Sequence, residues 1–224
     1  MQNNNEKQNI GDKINNFVQK NRKGIFISFG ILVFLFLGFI AYIFVSDSMN
    51  AKAIAELEEL NRKYTDLESD ISAGISTDEI ESLTNDLSEF AQRSKGFPAS
   101  RAWAMIGQIY SERKDWPLAE EAWLNSANAG EKTYLGPIAL FQAAAVCEEQ
   151  GKFEEAIELY KRCISSNFEF PSAPRAQFSV GRLYEQIEDF PAALDAYRNV
   201  LVNYNNIPVW QHLARSRITA IEVR

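Results

Sequence analysis

The chemistry of this chain is narrowed first by what it lacks. There is one histidine, His212, among 224 residues. A lone imidazole with no neighbouring histidine is far more often a packed or surface side chain than a catalyst. No glycine-rich phosphate loop, H-E-x-x-H or G-x-S-x-G sequence occurs, which leaves phosphate cradling, zinc hydrolysis and nucleophile-elbow chemistry without their usual groups. Acidic pairs such as Glu120-Glu121 and Glu154-Glu155 are adjacent on helical stretches and point in different directions, as solvated faces do. The expectation is a protein that is not an enzyme and carries no cofactor or metal.

Charge is also missing where it would matter. Residues 24–45 run for 22 positions without one charged side chain. At about 1.5 Å per residue a helix of that length spans a hydrocarbon core of roughly 30 Å, and Tyr42 lies near its far end, where an amphipathic ring suits an interface. A cleaved signal peptide would need an unusually long apolar region, and Ala51-Lys52-Ala53 lies several polar residues beyond it, so an uncleaved transmembrane anchor is favoured. Gly30 and Gly38 are eight apart, not the four of a close-packing pair. Lys20, Arg22 and Lys23 precede the run, whereas Asp47, Glu56, Glu58 and Glu59 come after it with only Lys52 among them. That asymmetry predicts an N-terminus in the cytoplasm and the remainder across the membrane. Residues 1–23 read as a polar tail, in which Ile14, Phe17 and Val18 either lie on a membrane surface or simply move with it. Beyond residue 45 there are 18 basic and 28 acidic residues, a balance that argues against nucleic acid as a partner.

What the chain does contain is a repeat. Gly151-Lys152-Phe153-Glu154-Glu155-Ala156 reads as a turn followed by a helix start, with Phe153, Ala156 and Tyr160 on one face. The same phrase occurs as Trp116-Pro117-Leu118-Ala119 with Trp123, and as Phe190-Pro191-Ala192-Ala193 with Tyr197. Each position steps by 37 residues. The preceding helices repeat too: Ile106, Ala143 and Val180; Gly107, Ala144 and Gly181; Tyr110, Cys147 and Tyr184. A fixed period of this size predicts stacked helical hairpins. Cys147 and Cys163 take core positions of the second hairpin, offset by about 8 residues or roughly 12 Å along antiparallel helices. Two buried free thiols are therefore expected rather than a disulfide.

With Trp103 in front, the first unit reads W-x-x-I-G-x-x-Y, followed by Ala119. This resembles the tetratricopeptide repeat. The resemblance covers about 99–205 and departs in its 37-residue period, placing extra residues between units, and in Ser126, Cys163 and Val200 at the last small position. It implies an all-α, tetratricopeptide-repeat-like superhelix of helical hairpins preceded by one transmembrane helix. It also implies a partner-binding groove lined by Arg101, Ala104, Gln108 and Ser111 of the first unit, Ile138, Phe141, Ala145 and Glu148 of the second, and Arg175, Phe178, Arg182 and Glu185 of the third. Of these, Arg101, Gln108, Phe141, Glu148, Arg175, Phe178, Arg182 and Glu185 are the candidate partner-binding residues. The alternative is that Phe141 and Phe178 pack between repeats while the arginines pair with nearby glutamates. The family's carboxylate clamp needs Lys and Asn at groove positions; Ala104 and Gln108 do not supply them.

The flanks complete the organisation: a 1–23 tail, a 24–45 span, a 46–98 juxtamembrane helix and atypical helical pair, repeats over 99–205 and a 206–224 capping helix. Residues 48–72 read as one long helix whose Leu57, Leu60, Tyr64, Leu67 and Ile71 form a short heptad seam. That seam either mediates a homodimer through residues 54–71 or packs on the chain's own next helix, the second being favoured. Ser76-Thr77-Asp78-Glu79 reads as a capping box, with Ile80, Leu83, Leu87 and Phe90 on the buried face behind it and Gly96-Phe97-Pro98 as the stop. Trp210, Leu213, Ala214, Ile218 and Ile221 mark the final helix.

A short basic tail, one anchor and a small repeat domain, with Leu87-Ser88-Glu89-Phe90-Ala91 ahead of the first repeat, are similar to the ancillary subunit family of the bacterial SecYEG translocon. That resemblance implies a scaffold in the inner (cytoplasmic) membrane with periplasmic repeats, whose partners are the translocon, periplasmic chaperones or secreted clients. Two other expectations stay open: a scaffold of outer-membrane assembly or envelope maintenance, and a transport accessory that holds a small ligand between repeats.

Overall fold

The structure, a computed structural model, describes residues 15, 17, 19–73, 75, 77–166 and 170–223, without the side chains of 22, 25–26, 28–30 and 40–50. The chain divides into two compact units, Met1–Lys52 and Ala53–Arg224. Among the described residues every regular element is helical.

The first helix, α1 (Arg22–Asp66), begins in the first unit. Within that unit, Ile31 to Phe39 are all exposed, Phe34 at 78%. Among the described residues no helix is long and apolar enough to cross a membrane. Residues 40–45 of the expected span carry no described side chains, and residues 1–14 of the expected tail lie outside the described residues.

The second unit holds the rest of α1, then α2 (Glu68–Ser72), α3 (Asp78–Arg93) and three hairpins. The helix expected over 48–72 is interrupted at Leu67, whose own N–H reaches back to the Lys63 and Tyr64 carbonyls. The heptad seam is occupied inside the chain. Leu57, Leu60 and Ile71 are buried in one cluster with Ile80, Leu83, Leu87 and Phe90 of α3, and Tyr64 and Leu67 pack against it. Burial of each such side chain contributes about 2 kcal/mol, so the face a dimer would have used is already spent. The α3 cap sits on Thr77, whose hydroxyl accepts from the Ile80 N–H at 3.2 Å. Glu79 is then in the second position of the helix, too early for the reciprocal half of a capping box. Ser76 lies outside the described residues. Gly96-Phe97-Pro98 does not end α3. Those residues form the first turn of α4 (Gly96–Glu112), where a proline needs no N–H.

The hairpins are α4 with α5 (Trp116–Ala129), α6 (Leu135–Glu149) with α7 (Phe153–Ile164), and α8 (Ala173–Gln186) with α9 (Phe190–Asn203). The last helix, α10 (Pro208–Glu222), comes after them. Three-residue turns close all three hairpins, and each turn is the same device. Lys114, Gly151 and Glu188, one period apart, all have positive φ, at 58°, 72° and 62°. The next residue's N–H then reaches five residues back: Asp115 to the Tyr110 carbonyl, Lys152 to Cys147 and Asp189 to Tyr184, each at 2.9 Å. This is the Schellman ending, which satisfies carbonyls a helix otherwise leaves open. The longer connections, 130–134 and 165–172, lie between hairpins.

Close approach within a hairpin depends on size. A Cβ on Gly107 would lie 2.7 Å from the Trp123 ring, and one on Gly181 would lie 2.6 Å from the Tyr197 ring. Ala144, fully buried, takes the same place opposite Tyr160 in the second hairpin. One core cluster runs from α4 to α9 through the three hairpins, and α10 packs Ala214 and Ile221 in a second cluster with Ala193, Tyr197 and Val200. Cys147 and Cys163 are free and buried, as their helical offset predicts.

Candidate interaction groove

The first helices of the hairpins, α4, α6 and α8, carry the expected groove positions, and the second helices reach toward them with one repeated contact. Trp123 Nε1 donates to Ser111 Oγ at 3.1 Å. Tyr160 and Tyr197 donate their hydroxyls to Glu148 and Glu185, each at 2.7 Å. Donor and acceptor are 12 residues apart in all three hairpins. The ring fills the space left by the small residue, and its polar tip must then find a partner. Burial first, and the adjacent carboxylate second, push the Tyr160 and Tyr197 hydroxyls above the usual phenol range.

Both carboxylates also couple their hairpin to the next element of the stack. Glu148 is paired with Arg182 of α8. Glu185 is paired with Arg217 of α10, which grips it with Nε on one oxygen at 2.9 Å and Nη2 on the other. Only 8% of the Glu185 side chain is exposed, so this fork holds a carboxylate that water scarcely reaches. Its hydrogen bonds raise the Arg217 guanidinium further still.

The aromatic positions turn inward. Phe141 is buried against Tyr160 and Phe170, with centroids at 5.2 and 5.7 Å, and the Arg175 guanidinium lies 5.3 Å over its ring. Phe178 sits between Tyr197 and Trp210 at 5.1 and 5.6 Å. Arg101 donates to Asn61 Oδ1 at 3.2 Å, and Gln108 donates to Glu112. The eight candidate residues thus fall into separate contacts: Phe141 with Arg175, Glu148 with Arg182, and Phe178, Glu185, Arg101 and Gln108 each with a partner outside the set. Both rings pack as the internal-packing alternative has it, but of the three arginines only Arg182 pairs with a glutamate; Arg101 takes Asn61 and Arg175 takes the Phe141 ring.

Some participants are not among the eight candidate partner-binding residues. The Tyr160 and Tyr197 tips were legible in principle, because 111, 148 and 185 stand 12 residues before 123, 160 and 197. Arg217 lies in a helix without the repeat, so no spacing points to it. Glu120 is not on a purely solvated face. It accepts from Gln150 at 2.6 Å and Lys152 at 2.7 Å at the turn of the next hairpin. Burial alone would raise its carboxyl, but those two donors and the Lys152 charge together hold it below the usual carboxylate range. Among the described residues no group of three His, Cys, Asp or Glu side chains is arranged to hold a metal ion.

Comparison with known proteins agrees with this geometry. Residues 134–206 match the family model described as tetratricopeptide repeat. A TPR repeat-containing protein of Treponema pallidum (strain Nichols) is 37% identical over 130 residues, 57% of this chain, and the match spans 53% of that protein, about half its length. Crystal structures of nearly identical TPR-like repeats from a Podosopora anserina chain assigned as a kinesin light chain, and of a single-substitution variant of it, superpose with a TM-score of 0.54. They cover 74% of this chain and 91% of that one at 13% identity, a likeness of fold alone. Residues 134–206, the second and third hairpins, thus match the tetratricopeptide repeat model, and the stack as a whole shares the fold of solved TPR-like repeats.

Proposed function

We propose that this protein is a membrane-tethered scaffold of the bacterial cell envelope whose repeats hold other proteins. The coarser part rests on the repeats themselves, because stacked hairpins of this kind present an extended surface suited to protein segments. The tether rests chiefly on one observation. Nine consecutive residues, Ile31 to Phe39, are exposed in a helix, and none is charged. Apolar exposure on that scale in water is strongly unfavourable, and hydrocarbon is the solvent that suits it. Lys20, Arg22 and Lys23 beside the run orient the tail toward the cytoplasm and the repeats toward the periplasm.

In this reading the anchor keeps the groove near a membrane complex, and tethering raises the local concentration of contacts that are individually weak. Protein biogenesis at the SecYEG translocon, through the translocon itself or periplasmic chaperones and clients, is the proposed setting. It is supported by the order of basic tail, apolar run and repeats, and by Leu87-Ser88-Glu89-Phe90-Ala91 ahead of the first hairpin. Envelope assembly is the neighbouring setting with the same physical requirements.

The experiment is crosslinked capture from native membranes through a C-terminal tag, with alkaline extraction and protease protection on the same membranes. Retention through alkaline washing, protection of the repeats in intact cells and recovery of translocon subunits or periplasmic chaperones is the expected result. Release by alkaline washing removes the tether. Recovery of envelope-assembly proteins alone moves the scaffold to that setting.

A further inference from the structure

The hairpins repeat, but their couplings do not. Positions 108, 145 and 182 are one period apart and carry Gln108, Ala145 and Arg182; positions 111, 148 and 185 carry Ser111, Glu148 and Glu185. At the second junction Arg182 reaches back to Glu148. After the third hairpin Arg217 reaches back to Glu185. At the first junction the reaching residue is Ala145, which has nothing to reach with, and a cleft of about 250 Å³ remains there. It is lined by Ser111, Glu112, Trp116, Trp123, Ala145 and Glu149, together with glutamine side chains.

We propose that this cleft receives an arginine or lysine side chain from an extended segment of a partner protein. This rests on the reading of the repeats as a protein-binding groove. Glu112 and Glu149 supply two carboxylates, no basic residue lines the cleft, and neither forms an ion pair among the described residues. The Trp116 and Trp123 rings supply apolar walls, and indole is the aromatic surface that attracts a cation most strongly. Gln108 and Gln142 add carbonyl acceptors. The two later junctions show what fits the corresponding place: a guanidinium against a carboxylate, next to the aromatic ring of the second helix. The first junction keeps the ring, has Ser111 where the later junctions have their carboxylate, draws its negative charge from Glu112 and Glu149 instead, and lacks the cation. A repeat domain with a net excess of acidic residues favours approach of a basic segment over an acidic one.

The test is selection of random heptapeptides displayed on phage against the immobilised full-length protein in detergent micelles. Three proteins are compared: the parent, a Ser111→Glu/Ala145→Arg variant that installs the coupling of the later junctions, and a Glu112→Gln/Glu149→Gln variant that removes charge without adding bulk. The expected result is enrichment of peptides sharing one basic residue, with at least a tenfold loss on both variants and weakening as salt rises. Peptides without a basic residue, or enrichment equal on the parent and both variants, overturn the seat and leave the groove reading standing. No enriched peptide on any of the three overturns both. Should the first variant lose its helical circular dichroism, the second carries the comparison alone.

Discussion

One position decides the shape of every hairpin turn. Lys114 and Glu188 adopt the left-handed backbone that Gly151 adopts freely, and for a residue with a Cβ that conformation costs about 1–2 kcal/mol. Replacing Gly151 by alanine should therefore lower stability by about 1 kcal/mol, whereas Lys114→Gly or Glu188→Gly should raise it by about 0.5 kcal/mol once the greater freedom of the unfolded glycine is subtracted. Urea titration of the three variants measures the difference, and opposite signs are expected. The thiols are a second residue-scale matter. Burial pushes Cys147 and Cys163 each up to about 12, so both stay protonated at neutral pH and inert toward thiol reagents. Intact mass after treatment with iodoacetamide at pH 8 should show an unmodified folded protein and no bridge, with both sites reacting only in denaturant. Glu120 titrates in the opposite sense. Its folded pKa is depressed, so its contribution to stability is fully present above the ordinary carboxylate value of about 4.3 and is lost as pH falls through the lower folded value. Glu120→Gln should flatten the decline of the thermal midpoint in that acidic window and leave the pH 6–8 region parallel to the parent.

Helices are where the sequence is most and least informative. The common step shared by Gly107, Ala144 and Gly181 and by Trp123, Tyr160 and Tyr197 places all three hairpins, because a small residue on one helix and a ring on the next leave a periodic trace. The break at Leu67 leaves no such trace. Its apolar residue continues the seam, and only the backbone departs from the helix there. The start of α4 reads as a stop because Gly96 is an equally good helix end, and only its packing in space decides between the two. Groove residues are legible as positions but not as roles. Nothing in Phe141 or Phe178 alone says whether a ring faces a partner or packs against Phe170 or Trp210. The last helix is held by a contact across elements. Arg217→Ala should leave the nearly covered Glu185 carboxylate without its fork and cost about 2 kcal/mol. Hydrogen exchange should then rise in α10 and α9 ahead of α4 and α5. Uniform loss across all helices would mean that α10 is not held separately.

At the scale of the repeat domain, the couplings differ from one junction to the next. The second is tied by Arg182 and Glu148, and the end of the stack by Arg217 and Glu185. The first is tied at another place, where Glu120 takes Lys152 and Gln150, and is untied at the cleft beside Ala145. The first junction is nonetheless packed, because Trp123 and Ala127 are buried in one cluster with Ala139, Ala143 and Val146. The cleft is therefore a notch in a closed joint, and a basic side chain seated there would supply the polar tie that the other two junctions already carry.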